Sequence, residues 1–329
     1  MRDDYEQHRS IDEYGHPFPM GLPLIIMDTH RFVERVLSST EPGFDVSDSE
    51  QEQQPYKKPG LSSFFSEMFL NRQRAYPDYF QPSETVRLFL AIVDTFEPLL
   101  AGLRKRNLSL EELHAEQISL YNSLIQEIRK QGVEQEFKRA VLHRAQVANG
   151  NFDSATLYVN QLFEMYEKLH VVRVECGVLA NEVYILSEDD ALMAKYAKEC
   201  LNNLNNNKRN NRLFADMAGY LWKLEYHPRR GYYFHFIFFF ANVSVELSKQ
   251  LTDRIGQYWV DRITNGRGKY WDCKSLKGKF LSSCIGVVEG NDQHLRDKLR
   301  QALFYLTQKD IYLKFGVHCE GKRFRHGEV

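Results

Sequence analysis

Two aromatic, β-rich segments flank a tight connection at residues 220–240, YLWKLEYHPRRGYYFHFIFFF, and this pairing constrains the chain more than any other stretch. Strings of aromatic and branched residues on either side of a Pro- and Gly-containing turn read as a β-hairpin. If His227–Gly231 forms the turn, Glu225 stands opposite Tyr233 and Lys223 opposite His235. Side chains alternate along a strand, so Lys223, Glu225, Tyr233 and His235 share one face of the hairpin. Trp222, Leu224, Phe234 and Phe236 share the other, which is a core face.

The segments around the hairpin extend this to a sheet. LHVVRVECGVL (169–179) alternates and is β-branched, KGKFLSSCIGVV (277–288) reads as a further strand, and helical periods follow from Ser187, from SVELSKQLTDRIGQYWVDRI and from LRDKLRQALFYLTQKDIYLK. The order β-α-β-β-α-β-α predicts a small antiparallel sheet with helices on one face, an α+β domain of the ferredoxin-like kind. Upstream, SETVRLFLAIVDTFEPLLAGLRKR and three further periodic stretches predict a helical bundle, one opening with a capping box at Ser109 and Glu112. Three parts result. Residues 1–62 are an irregular lead-in with a short helix (IIMDTHRFVERVL) and an acidic linker, 63–168 a helical domain, and 169–329 the α+β domain.

Charge divides the chain more sharply than its total of −1 reveals. Residues 1–200 hold 21 Lys and Arg against 32 Asp and Glu, and residues 201–329 hold 22 against 12, so the halves carry −11 and +10. A basic half is where a polyanion docks. Arg229 and Arg230 in the turn, Lys269, Tyr270, Trp271 and Lys274 beyond it, and Arg323 and Arg325 near the end mix cations with rings. Cations follow a phosphate backbone and rings stack on unpaired bases, which points to single-stranded nucleic acid. The start MRDDYEQHRS lacks the apolar core of a secretory signal, and the uncharged stretch 231–245 is too short to span a bilayer. Five cysteines without a C-x-x-C pair fit reduced thiols. A cytoplasmic protein without a membrane partner is the expectation.

Candidate chemistry sits in two places. The polar hairpin face offers Glu225 as a hard oxygen and His235 as a borderline nitrogen, a pair able to hold a divalent ion or to serve as a packed, hydrogen-bonded couple. On the last helix Tyr305, Lys309 and Tyr312 share a face, separate from the apolar stripe Leu299, Leu303, Leu306 and Leu313. A tyrosine beside a cation and a metal can attack phosphorus, and equally a tyrosine at a helix boundary can be structural. The run GRGK (266–269) lacks phosphate-loop spacing, and neither G-x-S-x-G nor H-E-x-x-H occurs.

The strand HVVRVECG, the hairpin LEYHPRRGYYFHFIFFF, the segment YLTQKDIYLK and the ending KRFRHGE together resemble the inovirus-type replication-initiator family. That family is related to the filamentous-phage gene II product and includes the C-terminal domain type of the prophage proteins YagK and YfjJ. The resemblance covers residues 169–329, about half of the chain. It implies an HUH-endonuclease-like domain that binds single-stranded DNA at a replication origin in a bacterial host and nicks and joins it. Mg²⁺ or Mn²⁺ would be held by His235 with Glu225, Tyr305 would be the nucleophile, and Lys309 would stabilise the phosphate. The first histidine of the family pair is replaced, since the triplet reads Tyr233-Phe234-His235. Tyrosine binds Mg²⁺ poorly unless ionised, at a reference pKa of about 10. The alternative is therefore a non-enzymatic DNA- or RNA-binding protein on the same fold, with a degenerate metal site. A protein-interaction module is a third reading, and the helical half is a candidate dock for a host replication protein.

Overall fold

The computed structural model describes residues 22–40, 43, 80–105, 110–178, 190–227, 230–272, 285–315 and 321–328. Among them are seven α-helices and eight strands, a mixed helical and antiparallel α+β protein. The helices are α1 (Leu22–Ser38), α2 (Glu84–Lys105), α3 (Leu110–Gly132), α4 (Gln135–Met165), α5 (Asp190–Asn207), α6 (Val245–Tyr258) and α7 (Gln293–Tyr312). The strands are β1 (Phe80–Pro82), β2 (Lys168–Gly177), β3 (Met217–His227), β4 (Gly231–Phe240), β5 (Lys269–Asp272), β6 (Gly286–Glu289), β7 (Leu313–Phe315) and β8 (Phe324–His326). Among the described residues no helix is long and apolar enough to cross a membrane. Cys176 and Cys200 are buried free thiols. The capping box at Ser109, the helix start at Ser187 and the other three cysteines lie outside the described residues.

Two compact units divide the chain. In the first, Phe32, Val33 and Val36 of α1, Phe89, Ile92 and Val93 of α2, and Leu124, Ile125 and Ile128 of α3 form one apolar cluster. Their 3–4 spacing is the stripe expected of helices that bury one side. His30 is buried beside it, with Nδ1 2.8 Å from Ser83 Oγ. The second unit comprises Val147–Asp310 and the segment from Phe315 onward. Its boundary falls inside α4 rather than at residue 168, because Ala155, Tyr158, Val159, Leu162 and Phe163 of α4 bury themselves in the core of the sheet unit.

The main sheet runs β5-β2-β4-β3-β8, with β6 also paired to β2, and every pairing is antiparallel. The hairpin register is the one expected from the turn: Glu225 faces Tyr233, Lys223 faces His235 and His227 faces Gly231. One face carries Val172, Val174, Trp222, Leu224, Phe234, Phe236 and Phe238 against α5 and α6. The opposite face is covered too, by α7 and the second half of α4 over Leu169, Val171, Leu221, Ile237 and Phe239. This corrects the expectation of helices on one face only. Ile237 and Phe239 point the same way as His235, so only part of that face is polar and the rest requires an apolar cover. All ten residues of β4 are buried as a result.

Candidate functional site

The second face of the sheet changes character along its length. Where β2, β3 and β4 turn from Val171, Leu221 and Phe239 toward the hairpin end, the same face presents Arg173, Glu175, Lys223, Glu225, Tyr233 and His235, all buried. Burying one ionised group in a low-dielectric interior is costly, so such groups persist only when paired and hydrogen-bonded. Strand register supplies the pairing. Glu175 and Lys223 flank His235 in one cross-strand row, and Glu225 flanks Tyr233 in the next.

His235 is the hub of the cluster. Its side chain is wholly buried, with Nδ1 2.8 Å from Glu175 Oε1 and Nε2 3.0 Å from Glu225 Oε2. Arg173 Nη2, which can only donate, also lies 3.4 Å from Nδ1, so that nitrogen faces a donor as well as a carboxylate. Arg230 donates to Glu175 Oε2 at 3.1 Å, and Arg173 Nη2 lies 3.6 Å from Glu175 Oε1. Tyr233 donates its hydroxyl to Glu225 Oε2 at 3.2 Å.

Helix α7 closes the cluster from above. Leu299, Leu303 and Leu306 anchor it to the apolar half of the face, as the sequence stripe predicts. Its last turns then bring Lys309 and Asp310 over the charged half. The Lys309 ammonium sits on Glu225 Oε1. Lys223 donates to Asp310 Oδ1 at 2.7 Å and to the Leu306 carbonyl, and lies 3.6 Å from Glu225 Oε1. Burial works to raise the Glu225 carboxyl, but Lys309, His235 and Lys223 outweigh it and hold that carboxyl well below its usual range. Around His235, four permanent cations (Arg173, Lys223, Arg230, Lys309) face three carboxylates (Glu175, Glu225, Asp310).

Of the residues singled out from sequence, His235, Glu225 and Lys309 meet in this cluster. Tyr305 is half-buried at its margin, packed against the apolar cluster, with its ring centroid 5.2 Å from Lys309 Nζ. Tyr312, on the same predicted helix face, instead sets its ring against His30 in the helical unit. Arg230 is not a surface cation: it is buried, with its guanidinium 4.2 Å above the Trp271 ring and on Glu175. Tyr270 points to the opposite face, packing against the α5–α6 core and donating to Asp253. Lys269 and Arg325 are exposed, Trp271 and Arg323 half-buried, and Arg229 and Lys274 lie outside the described residues. Arg173, Glu175 and Asp310 were missed by the sequence reading. The alternation in HVVRVECG does place Arg173 and Glu175 on one face, and that was the available signal.

The donor set can be tested against a divalent ion. Oxygen-loving cations need lone pairs turned toward an open coordination sphere. Here both His235 nitrogens face carboxylates, Glu225 Oε2 takes Tyr233 and His235, and Glu225 Oε1 is ion-paired with Lys309, with Lys223 3.6 Å away. Among the described residues no group of three or more His, Cys, Asp or Glu is arranged to hold a metal. As held in this structure, the residues do not fit a divalent ion.

No protein-family model, curated protein or solved structure matches the chain.

Proposed function

We propose that residues 169–329 form a replication-initiator-like domain that binds single-stranded DNA through its own cations, without a metal. The order β2-α5-β3-β4-α6-β5, with β5-β2-β4-β3 adjacent and α5 and α6 on one face, supports a ferredoxin-like core. The observation that carries the reading is the edge strand β5, where exposed Lys269 and the half-buried Trp271 ring lie on the same face of the sheet as the charged cluster. Exposed Arg325 lies on the other edge strand, β8, across from Trp222 and so on the opposite face. Phosphate contacts and base stacking need no metal.

A second reading, that the domain also nicks and joins the strand, is favoured by the placement of Tyr305. It lies one helical turn before Lys309, on the helix that covers Glu225 and His235. In that reading the Tyr305 oxygen bonds to phosphorus as the P–O bond to the leaving sugar breaks, the phenol proton passes through water to the departing sugar oxygen, and Lys309 offsets charge on the phosphoryl oxygens.

One experiment separates the two. Labelled single-stranded DNA is incubated with the protein in EDTA or in Mn²⁺, and run on native and denaturing gels beside Tyr305→Phe. Binding predicts retarded DNA in EDTA that is lost as salt rises. Nicking predicts a denaturant-stable adduct that disappears in Tyr305→Phe. Absence of retardation on any single strand, origin-derived or not, removes the proposal.

A further inference from the structure

We infer that Lys208, Arg209 and Arg325 form a phosphate-binding site around the Tyr220 ring, on the side of the sheet that packs against α5 and α6. The site lies on the opposite face from Trp271 and the charged cluster, so it goes beyond the proposed strand-binding surface and does not rest on it.

Local structure assembles the group. Helix α5 ends at Asn207, and a short 3-10 turn, Lys208–Asn210, follows before β3. That turn sets Lys208 half-buried over Tyr220, with its ammonium 3.0 Å from the ring centroid and a hydrogen bond donated to Asn205 Oδ1 at 2.9 Å. Tyr220 shares its face with Phe238, its partner on β4, and with Arg325, which stands opposite Trp222 on β8. Arg209 and Arg325 are exposed, and both act on the Tyr220 phenol. Burial raises that phenol, Arg325 and Arg209 oppose it, and Glu328 adds a smaller upward push. Three cations and one carboxylate therefore surround one ring.

Pairing here differs from that at the hairpin end. There Arg173, Lys223, Arg230 and Lys309 each have a carboxylate partner. Among the described residues no carboxylate is ion-paired with Lys208, Arg209 or Arg325. An ammonium has three N–H donors, and Asn205 Oδ1 receives one of them. Burial, with a smaller contribution from Arg209, pulls the Lys208 amine down to about 7. A phosphate oxygen beside it favours the charged form and draws the proton back. Two guanidinium forks and one compact ammonium also call for more oxygens than the two a carboxylate carries.

Binding is thereby coupled to protonation. Affinity for phosphate is full below about pH 7 and declines as pH rises above it, because the bound form holds a proton that the unbound amine has lost. A lysine at its ordinary value of about 10.4 shows no decline in that range.

The test is calorimetric titration of the full chain at about pH 8, where Lys208 is largely uncharged, in two buffers of different ionisation enthalpy. The probes are inorganic phosphate and an oligo-thymidine without a terminal phosphate, one a free phosphoryl group and the other a backbone. Lys208→Arg stays charged throughout, and is expected to bind the same probes while taking up about one proton fewer than the unaltered chain. Arg325→Ala should bind about tenfold more weakly, the worth of one charged hydrogen bond. A proton difference with inorganic phosphate opens the site to any phosphorylated ligand, and a difference with the oligonucleotide alone restricts it to a nucleic-acid backbone. Equal proton uptake by the unaltered chain and Lys208→Arg with both probes would overturn the inference, as would unchanged affinity in Arg325→Ala. Should Lys208→Arg fail to fold, Lys208→Met keeps the stem without the amine and is read by the same loss of proton uptake. The phosphate arm is independent of β5, so failure of strand binding there leaves it unchanged.

Discussion

Glu175 stands directly across from His235 on the neighbouring strand, and its carboxylate lies 2.8 Å from the imidazole Nδ1. The other oxygen of Glu175 holds Arg230. Removing this one negative charge takes the carboxylate from the buried Arg230 guanidinium and one of two acidic partners from His235. Glu175→Gln should cost about 3–5 kcal/mol, the usual penalty for breaking a buried pair from one side. Urea denaturation measures it. The exposed Glu246→Gln serves as the control and should stay within about 0.5 kcal/mol of the parent. Equal effects at both positions would show that the cluster contributes nothing particular.

Glu225 gives the sheet unit a defined acid limit. Its folded carboxyl is held well below the ordinary 4.5, with burial opposing and Lys309, His235 and Lys223 prevailing. For a depressed carboxyl, the stabilisation is complete above the unfolded value and is lost as pH falls from there through the folded value. Melting temperature should therefore decline on acidification from about pH 4.5 downward. Glu225→Gln should flatten that decline, and an unchanged pH profile in the variant would count against the assignment.

Arg230 bridges Glu175 and the face of Trp271. Lysine keeps the charge but loses both the planar fork and the stacking surface. Arg230→Lys should destabilise by about 1–2 kcal/mol and alter the indole fluorescence of Trp271, since the guanidinium no longer lies on the ring. Retention of the parent emission spectrum would argue against the stack.

Gly268 is required by proximity. A Cβ built there lies 2.8 Å from the backbone carbonyl of Gly177, an atom that cannot swing aside. Gly268→Ala should cost about 1–3 kcal/mol through overpacking. By contrast Gly150, which has open space around it, should accept Ala without loss. Thermal melts of the two variants compare them directly.

Single-strand binding, if it runs across the exposed cations, carries a salt signature. Lys269→Ala and Arg325→Ala should each lower the slope of log affinity against log salt by about 0.7, one phosphate contact apiece. Lys249→Ala, on an exposed pair with Glu246, should leave the slope alone. Three identical slopes would place the strand elsewhere.

The hairpin was legible because both of its determinants are local. The turn fixes the register and the pleat fixes the faces, so Lys223, Glu225, Tyr233 and His235 could be placed on one surface from sequence alone. The helical stripe of Leu299, Leu303 and Leu306 was legible for the same reason. What could not be read is long-range. Nothing local to HPRRG indicates that Arg230 folds inward to a glutamate on β2, because that depends on β2 being the neighbour of β4. Nor does alternation reveal that a lysine from the last helix lands on Glu225, since the distance between them is set by how α7 seats on the apolar half of the face. The second layer of helices was missed because Ile237 and Phe239 were read as part of an aromatic run instead of as the floor of a second core.

Placing Lys309 and Asp310 on α7 also sets an order of events during synthesis. The strands that carry Lys223, Glu225 and His235 leave the ribosome well before the helix that supplies their partners. Until α7 emerges, the hairpin exposes ionised groups that water can satisfy and a closed core cannot. The second half of α4, made earlier, covers the apolar half of that face, whereas the charged half receives Lys309 and Asp310 from the last helix alone.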